Sequence, residues 1–176
     1  MIQRLATARR GRARDLVEQD GLTAIFLGVT AIEAFTNIYI RTVAEEPQFA
    51  HARPSLLDAV SDESRMGVER KLRLLASNAF NSSIREADPR WTEFQRLLGT
   101  RNSFVHFRSS YQTVSLPGIT LAGLADTSIY ANLSDETPSW VLACIRGIVE
   151  LVGLARGAAP EQLRGFVHGQ IGLLQP

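Results

Sequence analysis

Apolar residues recur at helical spacing through most of the chain, and the breaks between these runs carry turn and cap signals. From Ile2 to about Gln19, Leu5, Ala6, Ala13, Leu16 and Val17 are available for burial, while Arg4, Arg9, Arg10, Arg12 and Arg14 suit solvent. Gly21 permits a break or bend there, and the next helix, about Leu22 to Ala44, is apolar on nearly every side, as the central helix of a bundle would be. Pro47 ends it, and Pro54 suits the first turn of a short helix through about Val60. A further helix is expected from around Ser64, with Val68, Leu72, Leu75, Ala76 and Phe80 on its core face, followed by a polar connector from Asn78 to Asp88.

Asp88-Pro89 is a helix start, with Asp as N-cap and Pro at the first helical position, for the segment carrying Trp91, Phe94, Leu97 and Leu98. From Ser109 to Pro138 the period changes. Thr113-Val114-Ser115-Leu116 and Ile119-Thr120-Leu121, flanking Pro117-Gly118, suit either a short hairpin or a mobile loop. Ser134 or Thr137 can cap a last long helix through about Ala155, and Pro160 to about Leu174 suits a short terminal one. The fold class is therefore all-α: one domain over residues 1–176, a bundle of about four to six helices with a short irregular or hairpin insertion at about 110–136.

Polar groups inside the apolar runs are the informative exceptions. Thr30, Glu33, Asn37 and Arg41 recur at i+3 and i+4 steps and form one stripe along the central helix. A carboxylate there needs a partner, and Glu33 has two candidates, Arg101 and Lys71; the pairing would be either a buried ion pair that fixes packing or part of a catalytic site. Arg101 itself falls among Phe94, Leu98 and Val105, in the apolar stripe of its helix, with Asn102 and His106 as i, i+4 neighbours on the flank. A guanidinium so placed must be paired or face a cleft. Gly99, two residues earlier, permits a close approach by another helix or by a nucleic-acid backbone.

Composition narrows the chemistry. With 176 residues, 45% of them hydrophobic, the chain can build one real core, and its formal charge of +1 provides no global basic field, so any RNA contact must be local. Basic residues are almost all arginine, with Lys71 the only lysine. The single Cys144 excludes a disulfide framework and a cysteine-based zinc site, and a reducing, cytoplasmic setting is the default. The N-terminus lacks the pattern of a secretory signal, and Leu22 to Ile40, interrupted by Thr30, Glu33, Thr36 and Asn37, reads as a buried helix with no membrane as partner. His51, His106 and His168 are scattered, so no metal site is expected, and neither a Gly-x-Ser-x-Gly elbow nor a phosphate-cradling glycine loop is present.

The Arg101-Asn102-x-x-x-His106 motif late in a long helix, the Ala31-Ile32-Glu33-Ala34-Phe35-Thr36-Asn37 run before it, and a final apolar helix after an irregular insertion resemble the HEPN superfamily of small α-helical proteins. Many members of that superfamily are metal-independent endoribonucleases. The resemblance implies that Arg101 and His106 are catalytic, that Asn102 helps set their geometry, that no cofactor is needed, and that two copies dimerise with their motif helices facing. It implies RNA as substrate, a setting in toxin action or phage defence, and an antitoxin or other regulatory protein as further partner. A subgroup of HEPN toxins has Tyr two residues after the His, modified by a partner nucleotidyltransferase; here that position is Arg108, which suits phosphate contact or a solvated helix end. The competing expectation is a non-catalytic RNA-binding or protein-interaction scaffold on the same fold.

Overall fold

The computed structural model describes residues 14–105, 112–116, 119–124, 132–159 and 161. Five α-helices run in the order α1 (Arg14–Glu45), α2 (Arg53–Ala59), α3 (Val68–Leu74), α4 (Pro89–Val105) and α5 (Thr137–Ala155). Between α4 and α5 lies an antiparallel hairpin, β1 (Gln112–Leu116) and β2 (Ile119–Leu124), with Leu116 opposite Ile119 and an irregularity between Gln112 and Val114. The architecture is the expected all-α bundle, and the insertion resolves as a hairpin rather than a loop. The expected helix at Pro160 to Leu174, apart from residue 161, and residues 2–13 of the one at Ile2 to Gln19 lie outside the described residues.

The spacing of the core residues shows why α1 forms. Ile25, Val29, Ile32, Ile40 and Val43 are all essentially buried and recur at three-, four- and eight-residue steps, a single stripe on a 3.6-residue helix. Thr36, the polar member of that stripe, is fully buried and donates its hydroxyl to the Ile32 carbonyl at 2.7 Å, which removes the cost of an unpaired group. The opposite side of α1 is not covered as an all-round apolar helix would suggest: Leu27 is 65% and Ile38 66% exposed.

At Gly21 the expected break does not occur, and α1 runs straight through it. A Cβ added at Gly21 would lie 3.3 Å from the Leu133 Cβ, so the glycine serves close packing against the approach to α5. One turn or two further on, Gly28 meets α5 more tightly still, because an added Cβ would overlap the Val141 Cγ1. These two contacts seat α5 along α1. α1 over Leu16–Glu45 and α5 are both long and apolar enough to cross a membrane by length and composition, a test that core helices of a bundle also pass.

Helix α3 starts at Val68, later than Ser64, and its core face continues through a π-helical turn at Leu75–Ala79. Asp88 caps α4 as expected: its Oδ1 accepts from the backbone N–H of Arg90 at 3.0 Å, while both carboxylate oxygens accept from the Arg90 guanidinium. That guanidinium, with the backbone donors of the helix start, holds the Asp88 carboxyl below the usual range against the opposing effect of burial. At α5 neither Ser134 nor Thr137 is the N-cap. Glu136 occupies that position without a side-chain cap bond, and Thr137 instead accepts from the Ser134 N–H at 3.0 Å.

Candidate functional site at the end of α4

Helix α4 buries Trp91, Phe94, Leu97 and Phe104. On an ideal helix these positions span an arc whose middle is occupied by Arg101. The buried arc is turned slightly from the expected one, since Val105 is 48% exposed and Phe104 takes its place in the core. Arg101 therefore replaces an apolar core residue at the last full turn of the helix.

A polar stripe on α1 meets that arginine. The Arg101 Nη2 donates to Glu33 Oε1 at 3.3 Å, with the two side chains 27% and 44% exposed. Lys71, the other candidate partner, donates instead to Asn37 Oδ1 at 2.8 Å, and Arg41 donates to the Val60 carbonyl at 2.9 Å. Successive stripe positions thus tie α1 to α4, to α3 and to the end of α2. The Glu33–Arg101 pair is not the fully buried pair the apolar context suggested, because the carboxylate looks out between helices, where water screens it.

The Arg101 Nε is buried and has no hydrogen-bond partner among the described residues. Among the described residues the guanidinium is therefore oriented through Nη2 alone; the side chain is 27% exposed, and the buried Nε is out of reach of solvent. Asn102 is exposed, and its amide makes no bond among the described residues. His106 and Arg108 lie outside the described residues, His106 directly after the last described residue of α4. Gly99 faces open space, with no described atom within 4 Å of an added Cβ, so no described residue makes a close approach at this glycine.

A second constellation beside this site escaped the sequence reading. The Trp140 indole N–H donates to Glu93 Oε2 at 2.6 Å, Arg96 bridges to the same oxygen at 3.3 Å, and the Arg96 guanidinium lies 4.7 Å from the centre of the Trp140 ring. Arg96 and Glu93 are visible in sequence as an i, i+3 pair, but Trp140 joins them only through the packing of α5 on α4. Cys144, on the same face of α5, is buried, and burial together with the nearby Glu93 charge pushes its thiol up to about 11, which makes it inert at neutral pH. Among the described residues no group of three His, Cys, Asp or Glu side chains converges.

No family model, curated protein or solved structure matches the chain. The class defined by fold and site is an all-α bundle that presents a tethered arginine at the end of a core helix.

Proposed function

We propose that the chain is a metal-independent endoribonuclease of the HEPN type, with Arg101 and His106 as its catalytic residues. The observation that carries this reading is the state of Arg101: a guanidinium at the centre of a buried arc, oriented by Glu33 and with its side chain still 27% exposed. A donor fixed in advance and still partly exposed is suited to stabilising charge that develops on a phosphate. In this mechanism His106 assists attack of the ribose 2′-hydroxyl on the adjacent phosphorus or protonates the leaving 5′-oxygen. Arg101 stabilises the phosphorane-like transition state, Asn102 supports the geometry, and Arg108 adds phosphate contact. The products are a 2′,3′-cyclic phosphate and a 5′-hydroxyl end, and DNA is not a substrate because it lacks the attacking group.

On an ideal helix Arg101 and His106 project about 140° apart, so one chain converges them poorly on one phosphate. The working unit in this proposal is a homodimer with the motif helices facing and open Gly99 at the contact. A cytoplasmic toxin or phage-defence role, under control of a regulatory protein, fits such an activity.

A scaffold reading draws on a different observation. Glu33, Asn37 and Arg41 each make one tie to another element, and the ties through Lys71 and Val60 involve no catalytic chemistry. Arg101 would then be a third structural tie of the same kind. Labelled tRNA and mRNA incubated with the purified chain in chelator separate the two readings. The expected result is cyclic-phosphate ends that disappear in Arg101→Ala and His106→Ala while helical content stays intact. Cutting by both variants at the parent rate removes the catalytic assignment.

A further inference from the structure

A groove of about 660 Å³ lies between α4 and the approach to α5, on the flank of α4 away from Asn102. Its volume falls in the usual range for small-molecule sites, about 300–1,000 Å³. Arg96, Thr100 and Ser103 line it from α4 at i, i+4 and i+7, one polar row along the helix, and Trp140 forms a wall from α5. That wall is rigid, because the indole N–H is held by Glu93 and the ring is faced by the Arg96 guanidinium.

The charge and hydrogen-bond inventory of the lining decides which ligand fits. Arg96 is paired with Glu93 at 3.3 Å, yet its side chain is 66% exposed, so its guanidinium remains open as a stacking face. Thr100 and Ser103 spend their hydroxyl protons on the carbonyls of Arg96 and Gly99, at 2.8 and 2.9 Å, which leaves oxygen lone pairs as acceptors. The Glu136 carboxylate, also in the lining, makes no side-chain bond among the described residues. The lining also holds donors, the Asn132 amide and the Ser134 hydroxyl whose Oγ accepts from the Glu136 N–H, and its one carboxylate is Glu136. The groove suits a flat, neutral ring that stacks on an aromatic–guanidinium wall and presents N–H donors at its edge. Among the four bases, guanine alone offers a carboxylate two parallel donors, from N1 and N2.

We propose that this groove is a nucleobase subsite that selects guanine in the RNA strand whose phosphate lies at Arg101. The inference rests on the ribonuclease reading of Arg101 for its place on the strand. The row of Arg96, Thr100 and Ser103 lies roughly a third of the way round α4 from Arg101 and at nearly the same level, so one strand crossing the helix end reaches both.

Two variants test it. Glu136→Gln keeps the shape of the side chain and removes its charge, and Ser103→Leu fills the groove from an exposed helical position. Titration of the full chain with GMP, AMP, CMP and UMP, followed by tryptophan fluorescence, is expected to give strongest quenching with GMP. Glu136→Gln should weaken GMP binding by about tenfold or more, as expected for loss of hydrogen bonds to a charged group. Ser103→Leu should abolish it with an unchanged circular dichroism spectrum. In cleavage of a random-sequence RNA, Glu136→Gln should flatten the preference for guanine near the cut while cutting still depends on Arg101. Equal response to all four nucleotides, or an unchanged cleavage pattern in both variants, overturns the subsite and leaves the nuclease standing. GMP binding that needs Glu136, without cleavage of any RNA, supports the subsite and removes the nuclease; neither binding nor cleavage overturns both.

Discussion

Arg101 and Glu33 stand 68 positions apart and meet at 3.3 Å across the packing of α4 on α1. The contact orients the one guanidinium that sits in the middle of the buried arc of α4, and it does so with a carboxylate that remains 44% exposed. Its partial exposure separates its stabilising effect from its orienting one, since screened pairs add little to folding free energy.

Glu33→Gln is accordingly expected to lower stability by no more than about 1 kcal/mol, the usual scale for a screened pair. For a chain of this size that is a fall of about 2–4 °C in Tm. RNA cleavage by the same variant should drop by a larger factor, because a neutral amide oxygen holds Arg101 more weakly than the carboxylate does. A Tm loss of about ten degrees or more, the scale of breaking a buried pair, would mean that the carboxylate is shielded from water in solution.

Mixing chains tests the composite site. Arg101→Ala and His106→Ala chains, each inactive alone, are expected to regain part of the activity when combined, if every cleft draws on both subunits. Sedimentation of the active protein as a monomer at assay concentration would rule out that arrangement.

The seat of α5 on α1 depends on Gly28. Gly28→Ala places a methyl group on the Val141 Cγ1 and is expected to cost about 1–3 kcal/mol, as overpacking of a tight core does. Val141→Ala should relieve much of that cost in the double variant. Additive losses in thermal or urea unfolding would mean that the two side chains do not meet.

Asp88 adds a pH-dependent component. Its folded-state pKa is depressed, chiefly by the Arg90 side chain, so its stabilising contribution is present above the unfolded carboxyl pKa of about 3.9 and is lost as pH falls through the lower folded value. Asp88→Ala should cost about 0.5–2 kcal/mol at neutral pH, the usual range for loss of an N-cap. The gap between variant and parent in urea unfolding should narrow below about pH 4. A gap independent of pH would place the cost in packing rather than in the charged cap.

Local chemistry made much of the fold legible. The i, i+4, i+7 spacing of Ile25, Val29 and Ile32, the Asp88-Pro89 start and the two short alternating runs around Pro117-Gly118 each signal an element through neighbours a few residues away. The polar stripe on α1 and the central position of Arg101 were legible for the same reason, because a helical wheel needs only the sequence. The wheel also placed Val105 in the core, where Phe104 lies instead, since the precise arc that is buried depends on how the neighbouring helices are seated.

Only the tertiary structure decided which partner each polar group takes. Sequence alone leaves Glu33 two candidate cations, and the levels at which α3 and α4 cross α1 give Lys71 to Asn37 and Arg101 to Glu33. Gly21 had the composition of a break, yet the surface of Leu133 and the rest of the approach to α5 make it a contact inside one continuous helix. Spacing along α4 shows Glu93, Arg96, Thr100 and Ser103 as neighbours, but nothing in it joins them to Trp140 or to the groove on the α5 side. Periodicity records which face of a helix is buried, whereas contacts between residues dozens of positions apart are set by the crossing and register of whole helices, which no local spacing encodes.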